Sequence, residues 1–362
     1  MTADTTPAPV TVISGALGAG KTTLVNRLLA DPGGRRLAVV VNDMGEVNVD
    51  AELVARETED GVIDLSNGCI CCRLGDDLVE QADRLARERA VDCLVVEASG
   101  ISEPLPIART LTEAETEGDR AFRLDTTVSL VDAYGFWKAF DPDEGVPDAA
   151  PDPERPLTDV MVDQAEFCDV LVLNKCDMVP DDELDRVAAT LRELQPTAAF
   201  HRTTRSDVPP DAVLETGRFD VESARRAPGW KRALAGEDGH DHDDEPAAAA
   251  HGVESTVYER TQPFDPDRFD AWLDDWDGDI VRAKGFAWVA SRPDQVVGMS
   301  QAGPSVQAGP IGEWGDDDPE TRLVFIGQDL DVGGLTAELD GCLADPAEVG
   351  SGPAADPFPR EE

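Results

Sequence analysis

Three short runs of this chain carry residue types at spacings that could do chemistry. In Gly15-Ala16-Leu17-Gly18-Ala19-Gly20-Lys21-Thr22, the pattern G-x-x-x-x-G-K-[ST] follows the apolar run Val10–Ser14 and opens a helical stretch. Glycines let main-chain N–H groups close around phosphate oxygens, and a helix N-terminus adds partial positive charge. Lys21 is placed to reach the β- and γ-phosphates of a nucleoside triphosphate, and the Thr22 hydroxyl to ligate Mg²⁺. Gly15, Gly18, Ala19, Gly20, Lys21, Thr22 and Thr23 form the expected phosphate-binding set.

The second run, Asn174-Lys175-Cys176-Asp177, follows the apolar Val170–Leu173. A carboxylate at Asp177 can accept hydrogen bonds from the N1–H and exocyclic amine of guanine, a pair that adenine does not present. Asn174 and Lys175 would hold the loop and the base plane, and Cys176 fills the free position. Asn and Asp are also common in ordinary strand-to-helix turns; the phosphate loop upstream decides for GTP. Between the two runs, Leu94–Val96 ends at Glu97, a strand-end acid suited to support Mg²⁺ directly or through water. Gly100 can offer an N–H to the γ-phosphate and relax after hydrolysis. Lys21, Thr22, Glu97 and Gly100 are the expected catalytic set. No side chain stands out as a water-positioning base, so hydrolysis is expected to be slow without metal or a partner.

The third run, Asn67-Gly68-Cys69-Ile70-Cys71-Cys72-Arg73, packs three thiols into four residues before a helical stretch. Thiols this close are poor candidates for a structural disulfide in a reducing compartment. A helix N-terminus and Arg73 favour thiolate, the form that binds soft or borderline cations. Cys69, Cys71 and Cys72 leave a fourth coordination position open, which suits transfer better than a permanent four-cysteine site. Glu46 could complete the sphere. His240, His242 and His251 offer imidazoles that could pick up metal and hand it inward. Cys93, Cys168 and Cys342 fall in apolar surroundings and read as small core residues.

Elements must position these runs. From Val10 to about Pro210, apolar runs at Val10–Ser14, Leu37–Asn42, Asp92–Glu97, Thr126–Asp132 and Asp169–Asn174 alternate with helical stretches at Lys21–Ala30, Asp76–Arg89 and Asp181–Leu194. Such alternation predicts an α/β fold, a doubly wound, mainly parallel sheet of the P-loop NTPase type with both faces covered. Thr112–Asp119 and Asp141–Pro156 read as surface insertions. Residues 1–235 are the expected GTPase domain and 236–251 an acidic, histidine-containing linker. Strands at Val253–Glu259, Ile280–Ala290, Gln295–Met299 and Arg322–Gly327, with helices at Asp265–Trp276 and Leu335–Leu343, predict a small α+β domain over 252–345. An acidic, Pro- and Gly-rich disordered tail is expected over 346–362.

Net charge is −44, and only five of the 31 basic residues are lysines. That surface repels nucleic acid and anionic membranes, which excludes both as partners. It suits a salt-rich, halophilic cytoplasm, where screening to about 3 Å at 1 M makes self-repulsion tolerable. The N-terminal Met1-Thr2-Ala3-Asp4 lacks the character of a signal peptide, so cytoplasmic location with reduced thiols is expected.

Together the runs Gly15–Thr23, Asn42–Asp50, Asn67–Cys72, Glu97–Gly100 and Asn174–Asp177 resemble those of the CobW-type GTPases, relatives of the GTPases that insert nickel into urease and hydrogenase. Gly285-Phe286-Ala287-Trp288 and Arg322–Asp329 look like the C-terminal domain of that family. The resemblance implies a metallochaperone that hydrolyses GTP to GDP with Mg²⁺ and loads Zn²⁺ or Co²⁺ into a client metalloprotein. The client would be met through the C-terminal domain, and a homodimer is held open. Two departures stand out: Val41 occupies a place where some members carry a carboxylate, and the histidine tract is short. Two other readings predict different behaviour. A redox-responsive GTP-binding switch would form reversible disulfides, and a chaperone of an organometallic cofactor enzyme would keep a structural zinc throughout the nucleotide cycle.

Overall fold

A computed structural model describes residues 7–42, 62–64, 74–88, 91–100, 102, 104–118, 120–140, 156–226, 252–274, 279–315, 317–344 and 356–359. In chain order the elements are β1 (Ala8–Gly15), α1 (Lys21–Ala30), β2 (Leu37–Asn42), β3 (Val62–Asp64), α2 (Leu74–Glu88), β4 (Cys93–Ala98), α3 (Pro104–Glu117), β5 (Phe122–Asp132), α4 (Ala133–Ala139) and α5 (Leu157–Glu166). There follow β6 (Val170–Asn174), α6 (Asp181–Leu194), β7 (Ala199–Arg202), α7 (Val221–Arg226), β8 (Val253–Arg260), α8 (Pro266–Leu273), β9 (Ile280–Ala287), β10 (Gln295–Ala302), β11 (Ser305–Glu313), β12 (Thr321–Gln328) and α9 (Val332–Gly341). The chain divides into two compact units: Met1–Phe136 with Asp163–Pro180 and Thr197–Ala227, and Trp137–Val162 with Asp181–Pro196 and Pro228–Glu362.

The first unit is a seven-stranded sheet in the order β3-β2-β4-β1-β5-β6-β7, and every neighbouring pair is parallel. A parallel sheet needs cover on both faces, so its central strands are largely apolar; every residue of β4 and β6 is buried. Strand alternation sends Val10, Val12, Val40 and Val96 to one side, where they pack with Leu78 and Ala82 of α2 and Leu111 of α3. Ile13, Val95, Val128 and Val172 go to the other, against Leu24, Val25 and Leu28 of α1. The connection out of β1 leads to β2 on one side, and that out of β4 leads to β5 on the other. The carboxyl ends of β1 and β4 therefore lie at the point where strand order reverses, the usual place for a ligand crevice.

The second unit holds a five-stranded antiparallel sheet in the order β11-β10-β9-β12-β8. Its core gathers Phe264, Phe269, Phe325 and Leu339, bringing α8 and α9 onto the strands. Asp265 caps α8 by accepting from Arg268 N, and Asp331 caps α9 by accepting from Gly334 N. In the same unit α6 lies against β8 and β12, with Gln328 Nε2 donating to Thr190 Oγ1 at 3.1 Å.

The expected fold class holds in both units, and several local expectations need correction. The stretch Thr112–Asp119 is not an insertion: Thr112–Glu117 form the end of α3. Pro104 and Pro106 fall in its first turn, where a missing N–H breaks no helical bond, and Ile107, Ala108, Leu111 and Ala114 make its buried stripe. β3, β7 and β11 were not expected. β11 carries Gly309, Pro310 and Gly312, which weaken a strand signal but are tolerated at a sheet edge. The tail is not disordered at Asp356–Pro359. Phe358 is buried in the aromatic core, and Arg292 Nε pairs with Asp356 Oδ2 at 2.6 Å with both side chains buried. Burial acts to raise the Asp356 carboxyl, and the bonds from Arg292 and Phe358 N outweigh it, so the group is held below the usual carboxylate range. The linker 236–251 and residues 141–155 of the expected insertion Asp141–Pro156 lie outside the described residues. Among the described residues no helix is long and apolar enough to cross a membrane.

Candidate functional site

The phosphate end grows from the turn between β1 and α1. Gly15, Gly18 and Gly20 hold φ of 145°, 78° and 109°, values that L side chains rarely adopt. Ala19 N closes the turn on Ala16 O at 3.0 Å, and Leu24 N starts the helix on Gly20 O at 3.0 Å. The first turn of α1 holds no acidic residue, which leaves its partial positive charge intact in a strongly acidic chain. Lys21 is 8% exposed; its Nζ donates to Gly15 O at 2.8 Å and Ala16 O at 3.3 Å, tying the ammonium to the loop backbone. Thr23 is exposed in the same turn.

Glu97 is the last residue but one of β4, beside β1 and opposite Ile13, and is 4% exposed. Its Oε1 accepts the Thr22 hydroxyl proton at 2.7 Å. A hydroxyl whose proton is held this way turns its lone pairs elsewhere, and hydroxyl and carboxylate oxygens are the donor set a small hard cation takes. The pair therefore fits Mg²⁺. Gly100 follows two residues after β4 and touches the phosphate loop: a Cβ there would sit 2.9 Å from Leu17 N. Only glycine permits that approach.

At the base end, Asn174 closes β6 and is 2% exposed. Its Nδ2 donates to Ala19 O at 2.8 Å and to Ser206 Oγ at 3.1 Å, while its Oδ1 accepts from Ser206 N at 2.8 Å. Ser206 Oγ in turn donates to Gly20 O at 3.0 Å. Asn174 thus stitches the phosphate loop to the turn after β7. Lys175 adopts a left-handed φ of 60°, and its Nζ pairs with Asp132 Oδ2 at 2.6 Å. Asp177 stands exposed in a single 3₁₀ turn, Cys176–Met178. Asp132 and Ser206 were missed in the sequence. Asp132 ends a buried strand, and Ser206 sits in a polar turn, Thr203-Thr204-Arg205-Ser206, whose only signal is its residue types.

The structure thus brings Gly15, Gly18, Ala19, Gly20, Lys21, Thr22, Glu97, Gly100 and Asn174 to one end of one sheet. Glu46, Cys69, Cys71, Cys72, His240, His242 and His251 lie outside the described residues. Among the described residues no group of three or more His, Cys, Asp or Glu could hold a metal ion. Of the other four thiols, Cys93, Cys168 and Cys342 are buried and Cys176 is half-buried; burial pushes Cys93 up to about 12 and raises Cys168, Cys176 and Cys342.

Residues 9–202 match the family model described as CobW/HypB/UreG, nucleotide-binding domain. Residues 253–343 match that described as Cobalamin synthesis protein cobW C-terminal domain. The Zinc-regulated GTPase metalloprotein activator 1 of Dictyostelium discoideum is 34% identical, over 94% of this chain and 81% of its own. The Zinc chaperone CobW of Sinorhizobium sp is 29% identical, over 91% and 96%. The Zn(II)-bound YjiA GTPase from E. coli, a solved structure, is 22% identical with a TM-score of 0.44, over 93% of this chain and 99% of that one.

Proposed function

The chain belongs to the CobW family of GTPases, and from that premise we propose that it is a zinc metallochaperone, binding Zn²⁺ through Cys69, Cys71 and Cys72 and delivering it to a client metalloprotein as GTP is hydrolysed. The zinc-related names of its relatives favour Zn²⁺ over Co²⁺ as cargo. The observation that carries the nucleotide half is the Thr22–Glu97 contact at 2.7 Å beside a glycine turn that buries Lys21.

In this reading the N–H groups of Gly18 to Thr23 hold the β-phosphate and Lys21 spans the β- and γ-phosphates. Thr22 and Glu97 would hold Mg²⁺, which would supply positive charge to offset that of the phosphates. Gly100 reports the γ-phosphate through its N–H. Asp177 reads the N1–H and amine of guanine, Lys175 lies along the base, and Asn174 fixes both loops to each other. The thiolates, with Glu46, hold the cargo and release it when Gly100 lets go. Residues 1–235 are taken as the GTPase domain and 252–345 as the client-facing domain, joined by 236–251.

The test is an anaerobic titration of Zn²⁺ against a chromophoric chelator, with a Mg·GTP analogue and again with Mg·GDP. A tight site whose affinity differs by tenfold or more, about 1.4 kcal/mol of coupling, supports nucleotide-driven delivery. Equal tight affinity in both states points instead to a structural zinc. Absence of a tight site, with reversible disulfide formation, moves the thiols to redox sensing.

A further inference from the structure

Gln164 on α5 is 1% exposed, one turn from the buried apolar Val160 and Met161 and beside Ala165, on a helix that also buries Thr158, Asp159 and Glu166. A leucine or methionine would suit that stripe, so an amide needs a reason to be there. Its Nε2 donates to Ser102 O at 3.1 Å and reaches Gly100 O at 3.5 Å. Its Oε1 is buried and takes no hydrogen bond from the described residues. The only described partners of this buried amide are therefore two carbonyls of the turn that presses on the phosphate loop. Neither the sequence runs nor the reaction described above uses it.

We propose that Gln164 is the positioning residue of the turn at Gly100 and Ser102, holding their carbonyls so that Gly100 keeps its place against the phosphate loop. Gly100 lies against Leu17 of the phosphate loop, so holding its carbonyl fixes how Gly100, and with it its N–H, stands toward that loop. Gln164 thereby separates GTP from GDP without touching either. This inference rests on the reading of Gly100 as the γ-phosphate contact.

The experiment measures GTP hydrolysis and the affinities for GDP and a non-hydrolysable GTP analogue, using the full chain and three variants. Gln164→Leu keeps the volume and removes the grip, and is expected to lower kcat about tenfold while GDP affinity stays within about twofold. Gln164→Glu keeps the shape. As a carboxylate it cannot donate to Ser102 O; as a buried acid its pKa is raised, and the protonated form can. Its rate relative to the parent should therefore recover as pH falls, which a merely structural role would not produce. That ratio decides the matter even if the leucine variant fails to fold.

Gly100→Ala separates the two layers of the argument. If it lowers hydrolysis while both Gln164 variants keep the parent rate, or lose GDP and GTP binding in step, the Gln164 assignment is overturned and the Gly100 reading stands. If Gly100→Ala itself leaves hydrolysis and analogue binding unchanged, the Gly100 reading falls and takes the inference with it.

Discussion

The phosphate end and the base end of the site are built from different chemistry. The phosphate end is a backbone device: glycines at positive φ, a helix terminus free of acids, and Lys21 tied to the carbonyls of Gly15 and Ala16. The base end is a side-chain device: Asn174 bridging two loops, Lys175 held by Asp132, and Asp177 exposed on a short turn. The two lysines show the contrast. One is positioned by neutral main-chain dipoles of its own loop, the other by a carboxylate from a neighbouring strand, which neutralises its charge and leaves its stem as a surface. Phosphates are the same in every nucleotide, so a fixed backbone suffices to bind them. Bases differ in their hydrogen-bonding edges, so choosing among them takes placed side chains. The two devices meet at Gly20, where the Asn174 amide occupies the space a side chain would need.

That meeting point gives the largest expected effect. In Gly20→Ala the new Cβ would lie 2.4 Å from Asn174 Nδ2 and 2.8 Å from Ser206 Oγ, at a φ of +109°. Backbone strain of about 1–3 kcal/mol and overpacking of similar size predict a loss of about 10²–10³-fold in affinity for GTP and GDP alike. Calorimetric titration of both nucleotides checks it; unchanged binding would mean that the two ends are independent. Asp177→Asn breaks only the base end. Losing an acceptor for two guanine donors, each charge-assisted bond worth about 1.5–3 kcal/mol, predicts that preference for GTP over ATP falls by about 10²-fold or more. Competition between the two triphosphates for a fluorescent GDP measures this, and ATP affinity itself should hardly move.

The same contrast explains what was legible in the sequence. The phosphate loop depends on local spacing, so Gly15 to Thr22 could be read directly, as could Asn174 to Asp177 with its apolar strand. Asp132, Ser206 and Gln164 act through neighbours far away in sequence, and a single acid, serine or glutamine carries no periodic signal. Strand runs such as Leu37–Asn42 were legible because a parallel sheet buries both faces and leaves unbroken apolar stretches. β11 was hidden by Gly309, Pro310 and Gly312, α3 by its prolines and acids, and the anchored tail by having one aromatic residue, Phe358, between prolines in a stretch rich in Pro, Gly and acids.

A smaller effect sharpens the role given to Lys175. Asp132 also accepts from Tyr134 N and Gly135 N, so it orders the start of α4 as well as the lysine. Asp132→Asn keeps oxygen acceptors for those amides and removes the charge opposite the ammonium. Guanine nucleotide affinity should fall about two- to tenfold, equally for GTP and GDP, with phosphate binding unchanged. If the loss were confined to GTP, Lys175 would be acting on phosphates and the division between the ends would fail.

The smallest effect is expected at the opposite ends of the strands, where an ion pair touches no part of the site. Arg36, just before β2, donates from Nε and a terminal nitrogen to Asp92, just before β4, at 3.1 and 2.7 Å, and its main-chain N adds a third bond at 2.8 Å. Those bonds hold the Asp92 carboxyl at about 2. A carboxyl whose pKa is depressed on folding stabilises the fold above its unfolded value, near 3.9, and that contribution fades as pH drops toward 2. Both side chains are largely exposed, so solvent screens the pair and the gain is slight. Arg36→Ala should lower the urea midpoint a little at pH 7, with the difference closing as pH falls from about 4 to 2. Nucleotide affinity should stay at the parent value, because a carboxylate at the amino ends of β2 and β4 reaches neither the backbone nor the side chains that form the two halves of the site.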